Sequence, residues 1–330
     1  MTIGGPFASL ASFAKVAEDH GFDSIWTAET GATAFIQAAV VAQATTRARI
    51  GTAIALAFPR SPAITAMTSL DLDELSGGRF TCGIGSQVKR VNEERFSTPF
   101  EHPAPKMKEY ALAMRAFIGA HFGEAPNFEG RFYQITMPAW PRSAPPPRRD
   151  IPIFFAAVNK RMQEVAGEVA DGVIGHPMTS VDYINKVVLP NIAKGAEKAG
   201  RKPDEIELAQ QIIASISNDR DQAKSEVKQQ IGFYATTRTY APVLELHGFD
   251  DLIPKFREAF AEKDLKRLAS LVPDEMADTY AVFGTPDEVR EKVNRFEGSV
   301  GELTLGGPWY KVDPSRLIEN HQLLLNAFGR

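Results

Sequence analysis

The chain has 330 residues, 44% of them hydrophobic and 24% charged, with a formal net charge of −4. That balance suits a globular protein with a sizeable core, and a slight acidic excess without a long basic run argues against a nucleic-acid partner. No apolar run reaches membrane-spanning length, no secretory-signal pattern opens the chain, and the single cysteine, Cys82, excludes an internal disulfide and suits a reducing cytoplasm.

In chain order, Met1 to Gly5 reads as a short first strand. Leu10 to His20 reads as an amphipathic helix with Leu10, Phe13, Ala14 and Ala17 inward, ended by Gly21. Asp23 to Ala28 is a second strand, delivering Glu29 and Thr30 at its C-terminal end, and residues 33–46 form an alanine-rich helix. Residues 50–58 are nearly all apolar or small, the pattern of a strand covered on both faces. Ser61 then caps a helix with Pro62 in its first turn. Ile64, Met67, Leu70 or Leu72, and Leu75 take helical spacing, with Asp71, Asp73 and Glu74 outward. Gly77-Gly78 ends this helix, and Phe80 to Ile84 is the next strand, with Cys82 a buried thiol at its middle.

Residues 88–105 read as a polar loop, and Lys106 to Ala120 as a helix with Met107, Tyr110, Met114 and Phe117 on one side. Residues 137–150 form a proline- and arginine-rich surface loop. The fifth strand is Ile151 to Ala157, followed by the helix Lys160 to Ala170. The sixth is Asp171 to Ile174, ending at Gly175-His176-Pro177. A helix over 181–199, a seventh strand over 206–217 and a mostly helical insertion over 221–271 come next. Thr285-Pro-Asp-Glu288 starts a further helix, Leu303 to Leu305 is the eighth strand, and residues 314–328 close with a helix. Strands alternating with helices eight times predict an α/β fold of the (β/α)8 TIM-barrel class, a single domain over 1–330.

In such a barrel the reacting groups lie at the C-terminal ends of the strands. That rule selects Glu29, Thr30, residues 53–56, residues 85–87, residues 157–159 and His176. Glu29 is a candidate proton acceptor or substrate orienter, or else a structural carboxylate bonded to a neighbouring strand. His176 is a candidate for ligand contact or proton transfer, or packs under the next loop. Gly85-Ser86-Gln87 offers backbone N–H groups and a hydroxyl to a ligand, or is a simple tight turn. Val88 stands where a dinucleotide fingerprint would need its third glycine, and no helix is expected to open there. Ala157-Val158-Asn159 precedes a helix start, where Asn159 is an N-cap, an anion site, or both. The six histidines show no metal-ligand spacing, so no metal is expected. In the insertion, Tyr234 with Phe233, Tyr240 and Leu244 is placed to roof an apolar substrate pocket, with Arg238 available to an anionic group.

Gly51-Thr52, the turn carrying Arg60 and Pro62, Leu75-Ser-Gly-Gly-Arg-Phe80 and Gly83-Ile-Gly-Ser86 resemble the bacterial luciferase-like oxidoreductases, most of all their coenzyme F420-dependent branch. Gly21-Phe-Asp-Ser-Ile-Trp26 and Ala166-Gly-Glu-Val-Ala-Asp-Gly172 fall where that family has counterparts, and residues 128–135 resemble its small strand excursion. The resemblance implies hydride transfer between a deazaflavin and a small organic substrate, in a cytoplasmic homodimer. It implies cofactor binding by Ala53, Ile54, Gly85, Ser86, Gln87, Val88, Ala157, Val158 and Asn159, with a cis peptide at Ala53–Ile54 and phosphate or ribityl contact at Asn159. The small residues around Gly85 motivate a further expectation, that Gly85→Trp abolishes cofactor binding while leaving the fold intact. Two features depart from the family: the first strand is short, and Thr30 stands where many relatives have an active-site histidine. The alternatives are an FMN-dependent monooxygenase of the same fold and a barrel that binds a ligand without catalysis.

Overall fold

The computed structural model describes residues 1–329, which group into two compact units: Met1–Ile174 with Asn191–Glu207, and Gly175–Pro190 with the residues from Leu208 onward. The first carries β1 (Thr2–Ile3), β2 (Ser24–Thr27), β3 (Arg49–Thr52), β4 (Ala55–Leu56), β5 (Phe80–Gly85), the hairpin of β6 (Phe128–Glu129) and β7 (Gln134–Ile135), β8 (Ile153–Ala156) and all but the last residue of β9 (Gly172–Gly175). Here β1, β2, β3, β5, β8 and β9 lie side by side in that order, all parallel. Parallel neighbours need crossovers, and four are supplied by the helices Phe7–Asp19, Ala34–Ala44, Pro62–Ser76 and Lys160–Val169. The second unit carries all but the first residue of β10 (Glu207–Ile216), with β11 (Ala281–Gly284) and β12 (Glu302–Gly306). Ala209–Ile213 of β10 pairs with β12 and Ile213–Ile216 with β11, both parallel.

Packing explains the glycines between the strands. A Cβ on Gly51 would sit 2.3 Å from the fully buried Trp26 ring, and one on Gly83 would sit 1.8 Å from the Thr52 carbonyl. At the strand starts, Arg49 lies over Trp26 and Phe154 and makes paired bonds of 2.8 and 2.7 Å to Glu207.

Several elements differ from expectation. The apolar run over 50–58 is not one strand: it breaks after Thr52 at the cis Ala53–Ile54 peptide that the family resemblance implies, and resumes as β4, which pairs with β5. The helix Pro62–Ser76 has the expected Ser61 cap and left-handed Gly77, but it is rotated. Ile64 and Leu75 are 53% and 42% exposed, while Thr65, Ala66, Ser69, Leu70, Leu72 and Asp73 are buried. The helix packs between two others, Ala34–Ala44 and Pro103–Ala120, and close approach favours a face of small side chains. Asp73, expected outward, is fully buried and paired with Arg148 of the proline-rich loop. A helix Lys89–Phe96 occupies part of the expected loop, starting at Val88. It lacks an apolar stripe and carries the i,i+4 pairs Lys89–Glu93 and Arg90–Glu94 instead. The helix expected over 181–199 contains a π turn at Ile184–Val188, just ahead of Pro190, whose missing N–H interrupts the regular ladder. Strand β11 was not anticipated.

Candidate active site

Four strand ends converge in the first unit. Glu29, after β2, accepts from the Leu56 N–H at 2.7 Å and from both terminal nitrogens of Arg60 at 2.8 and 2.5 Å. Its own N–H donates to Ile54 O at 3.1 Å, and Ala53 N donates to Thr27 O at 2.7 Å. The Ala53–Ile54 turn is thereby tied to β2 on both sides. Arg60 also donates to Leu56 O and lies over the Phe35 ring. Glu29 is therefore built into the support of this turn, the structural arrangement among its two readings, and Thr30 beside it is exposed.

Gly85 ends β5 against the same turn. A Cβ there would stand 2.2 Å from Ile54 Cδ1 and 3.1 Å from Ala156 Cβ, so Ile54, Gly85 and the end of β8 are in mutual contact. A side chain at Gly85 must therefore displace Ile54, so Gly85→Trp is expected to cost stability as well as to fill this space. Beyond it, Ser86 is half-buried, Gln87 takes a left-handed φ of 57° and Val88 is the N-cap of the helix Lys89–Phe96. Asn92, fully buried, donates to Ser86 O at 2.8 Å and to Val88 O at 3.0 Å and fixes that loop from below.

β8 is the parallel neighbour of β5, so the loop over 157–159 begins beside Gly85. Ala157 is buried, Val158 half-buried and Asn159 exposed. Asn159 Oδ1 accepts from Met162 N at 3.2 Å, which makes it an N-cap in fact. Gln163 Nε2 holds the Val158 carbonyl at 3.0 Å, and its Oε1 accepts from Asn191. The helix begins Lys160-Arg161 and has no acidic residue in its first turn. Two cations at the positive end of a helix are unfavourable by about 0.3–1 kcal/mol each. An anion bound there reverses the sign.

The second unit presents a separate cluster. His176, after β9, accepts from Met178 N at Nδ1 (3.0 Å), and its Nε2 lies 2.8 Å from Tyr240 Oη. Its ring stacks on Tyr240 and meets Tyr234 edge-on, with centroids 4.3 and 4.8 Å away. Burial pushes the His176 imidazole down to about 3, so it is neutral near pH 7. With Nδ1 an acceptor, the neutral ring carries its proton on Nε2 and donates it to Tyr240. Tyr234 Oη accepts from Trp309 Nε1 at 3.2 Å. Arg238 is exposed on the short turn preceding Tyr240. His247 is bonded to Ser180 Oγ at 2.7 Å.

A family model described as luciferase-like monooxygenase matches residues 1–302. The chain belongs to the luciferase-like monooxygenase family. It is 36% identical over 312 residues to an uncharacterized protein of Mycobacterium tuberculosis, covering 92% of this chain and 91% of that one. To 5,10-methylenetetrahydromethanopterin reductase of Methanolobus tindarius it is 30% identical over 308 residues, with 92% and 91% covered. The solved structure of coenzyme F420 dependent tetrahydromethanopterin reductase from Methanopyrus kandleri superposes with a TM-score of 0.83, at 25% identity, over 99% of this chain and 96% of that one. The luciferase-like TIM-barrel class expected from the strand–helix alternation thus holds, and the chain is an oxidoreductase of this family.

The sequence motifs select these strand ends but do not show what braces them. Arg60 was visible only as part of a turn motif, and its partner Glu29 lies 31 residues away. Gln163 and Asn92 support their loops from four residues after a cap position. A polar residue at that spacing from an N-cap is a usable signal, though a weak one. Among the described residues no helix is long and apolar enough to cross a membrane.

Proposed function

We propose that the chain is an F420-dependent oxidoreductase that moves a hydride between the deazaflavin and a small organic substrate. The observation that carries this reading is the likeness, along nearly the whole chain, to the solved coenzyme F420 dependent tetrahydromethanopterin reductase. The residues of the first unit fit such a group. The half-buried Ala53–Ile54 turn beside the buried Gly85 offers a small, part-apolar surface, and the Asn159-capped helix with Lys160 and Arg161 suits a phosphate. When bound, the deazaflavin would supply the redox chemistry. The protein's own part is to orient and to exclude water. Glu29 and Arg60 hold the turn, Asn92 fixes the loop after Gly85, and Gln163 fixes the loop before the phosphate end. Ser86, Gln87, Val88, Ala157 and Val158 are assigned to the cofactor groove, and Thr30, Tyr234 and Arg238 to the substrate. Glu29 acts here as a positioning residue.

A second reading, an FMN-dependent monooxygenase, is favoured by the description of the family model itself. Fluorescence-quenching titrations with F420 and with FMN separate the two. Tight F420 and weak FMN binding is expected, the reverse preference selects the monooxygenase, and binding of neither removes both. We further assign the working form as a cytoplasmic homodimer with a single-domain barrel chain, on the family resemblance. A monomer by light scattering at micromolar concentration would remove the dimer.

A further inference from the structure

The cluster around His176 contains two phenols whose oxygens are each already supplied by a fixed N–H. Tyr240 Oη lies 2.8 Å from His176 Nε2, and Tyr234 Oη receives Trp309 Nε1–H at 3.2 Å. A phenol has one proton of its own to donate. Among the described residues, neither hydroxyl has a further hydrogen-bond partner to take that proton. The two rings are neighbours, with centroids 5.8 Å apart and planes at 70°.

The donors are held firmly. Met178 N fixes the His176 tautomer, His176 stacks on Tyr240, and Gln230 Oε1 takes the N–H groups of both Trp309 and Tyr310 at 2.9 Å. Burial pushes the Tyr234 phenol up to about 12 and that of Tyr240 up as well, so both keep their protons throughout the physiological range. Trp309, at the edge of the cluster, is 52% exposed. The arrangement is aromatic, neutral and supplied with O–H donors, and Arg238, two residues before Tyr240, is exposed. The hydroxyls suit a neutral oxygen acceptor on an apolar or conjugated body.

We infer that Tyr240 donates its phenolic proton as a hydrogen bond to a carbonyl oxygen of the substrate, that Tyr234 is the second donor, and that His176 is the positioning residue of Tyr240. No proton is transferred in this role. The bond polarises the carbonyl and favours charge developing on its oxygen. The inference rests on the oxidoreductase reading above only in its choice of a carbonyl substrate class.

The test uses 4-(dimethylamino)cinnamaldehyde, whose absorption moves to the red when its carbonyl accepts hydrogen bonds. Probe binding is followed separately through quenching of tryptophan fluorescence, and F420 binding is titrated on the same proteins. The wild type is expected to bind the probe with a saturable red shift. Tyr240→Phe is expected to bind it with most of that shift lost, and His176→Ala to bind it with a reduced shift. Both variants should retain wild-type circular dichroism and F420 affinity. A merely structural role for Tyr240 would leave the shift of the bound probe unchanged. No shift in the wild type, or the full shift in Tyr240→Phe, overturns the inference. Absence of F420 quenching, with the Tyr240-dependent shift intact, would remove the cofactor reading and leave this one standing.

Discussion

Gly85→Ala is the sharpest probe of how the proposed cofactor groove is built. The added Cβ would lie 2.2 Å from Ile54 Cδ1 and 3.1 Å from Ala156 Cβ. Carbon atoms settle at about 3.5–4.0 Å, so Ile54 Cδ1 must retreat by roughly 1.3–1.8 Å. A side-chain end can rotate away in part. The remainder falls on the Ala53–Ile54 turn, which Glu29 N and Thr27 O hold in place. Overpacking of this kind costs about 1–3 kcal/mol. Ile54→Val deletes the offending carbon and by itself should cost at most about 1.5 kcal/mol, less because Ile54 is half-buried. In the Ile54→Val background, Gly85→Ala should therefore cost at least about 1 kcal/mol less than in the wild type. Urea unfolding of the four proteins measures the cycle, and F420 quenching follows the groove in parallel. Affinity should fall in Gly85→Ala and recover in the double variant. Costs additive to within about 0.5 kcal/mol would refute the claim that Ile54 and Gly85 are in contact.

Glu18 should dominate part of the acid response. Burial opposes its ionisation, but the backbone N–H groups of Ala48, Arg47 and Thr46 and the Arg47 charge outweigh that and hold it at about 2, against an ordinary 4.5. A depressed carboxylate stabilises the fold above its unfolded value and loses that contribution as pH falls through the folded one. The difference amounts to about 3 kcal/mol. Glu18→Gln should therefore cost most of that at pH 7, and the gap to the wild type should close between about pH 4.5 and 2. A gap independent of pH in urea titrations would contradict it. Asp73→Ala strands Arg148 and the Phe80 N–H. It should cost about 3 kcal/mol, the low end for a broken buried pair because the Arg148 side chain is 35% exposed. Arg148→Ala in addition should restore part of it, as read from thermal melts.

Much of the fold was legible because strands covered on both faces and capped helices leave local marks. Ser61-Pro62, Gly77, Asn159 and Thr285 all sit where their residue types place them. The errors arose where tertiary packing overrides pattern. A helix wedged between two others buries Thr65, Ala66 and Ser69 and turns Ile64 and Leu75 outward, so hydrophobicity pointed to the wrong face. The helix Lys89–Phe96 has only Val91 and Phe96 as apolar residues, and a search for apolar periodicity passes over it. The break after Thr52 leaves no compositional trace, since Ala53 and Ile54 are ordinary strand residues.

The site was legible to the extent that it follows from strand ends, and obscure where it depends on pairing at a distance. Glu29 shows the difference. A carboxylate at a strand end, two residues after a buried strand, is equally a base and a brace until its partners are known. Here both oxygens are engaged, one by Arg60 alone and one by Arg60 and Leu56 N together. Three donors take up most of the carboxylate's acceptor capacity, and the arginine fork at 2.5 and 2.8 Å fixes it against the Ala53–Ile54 turn. The same logic runs in reverse at Tyr240. In sequence it is one aromatic residue in a helical insertion, yet its oxygen is satisfied by His176 while its proton is not. A group with an unclaimed donor is the one that can still act on a ligand, so the open valence of Tyr240 argues more for function than the charge of Glu29 does.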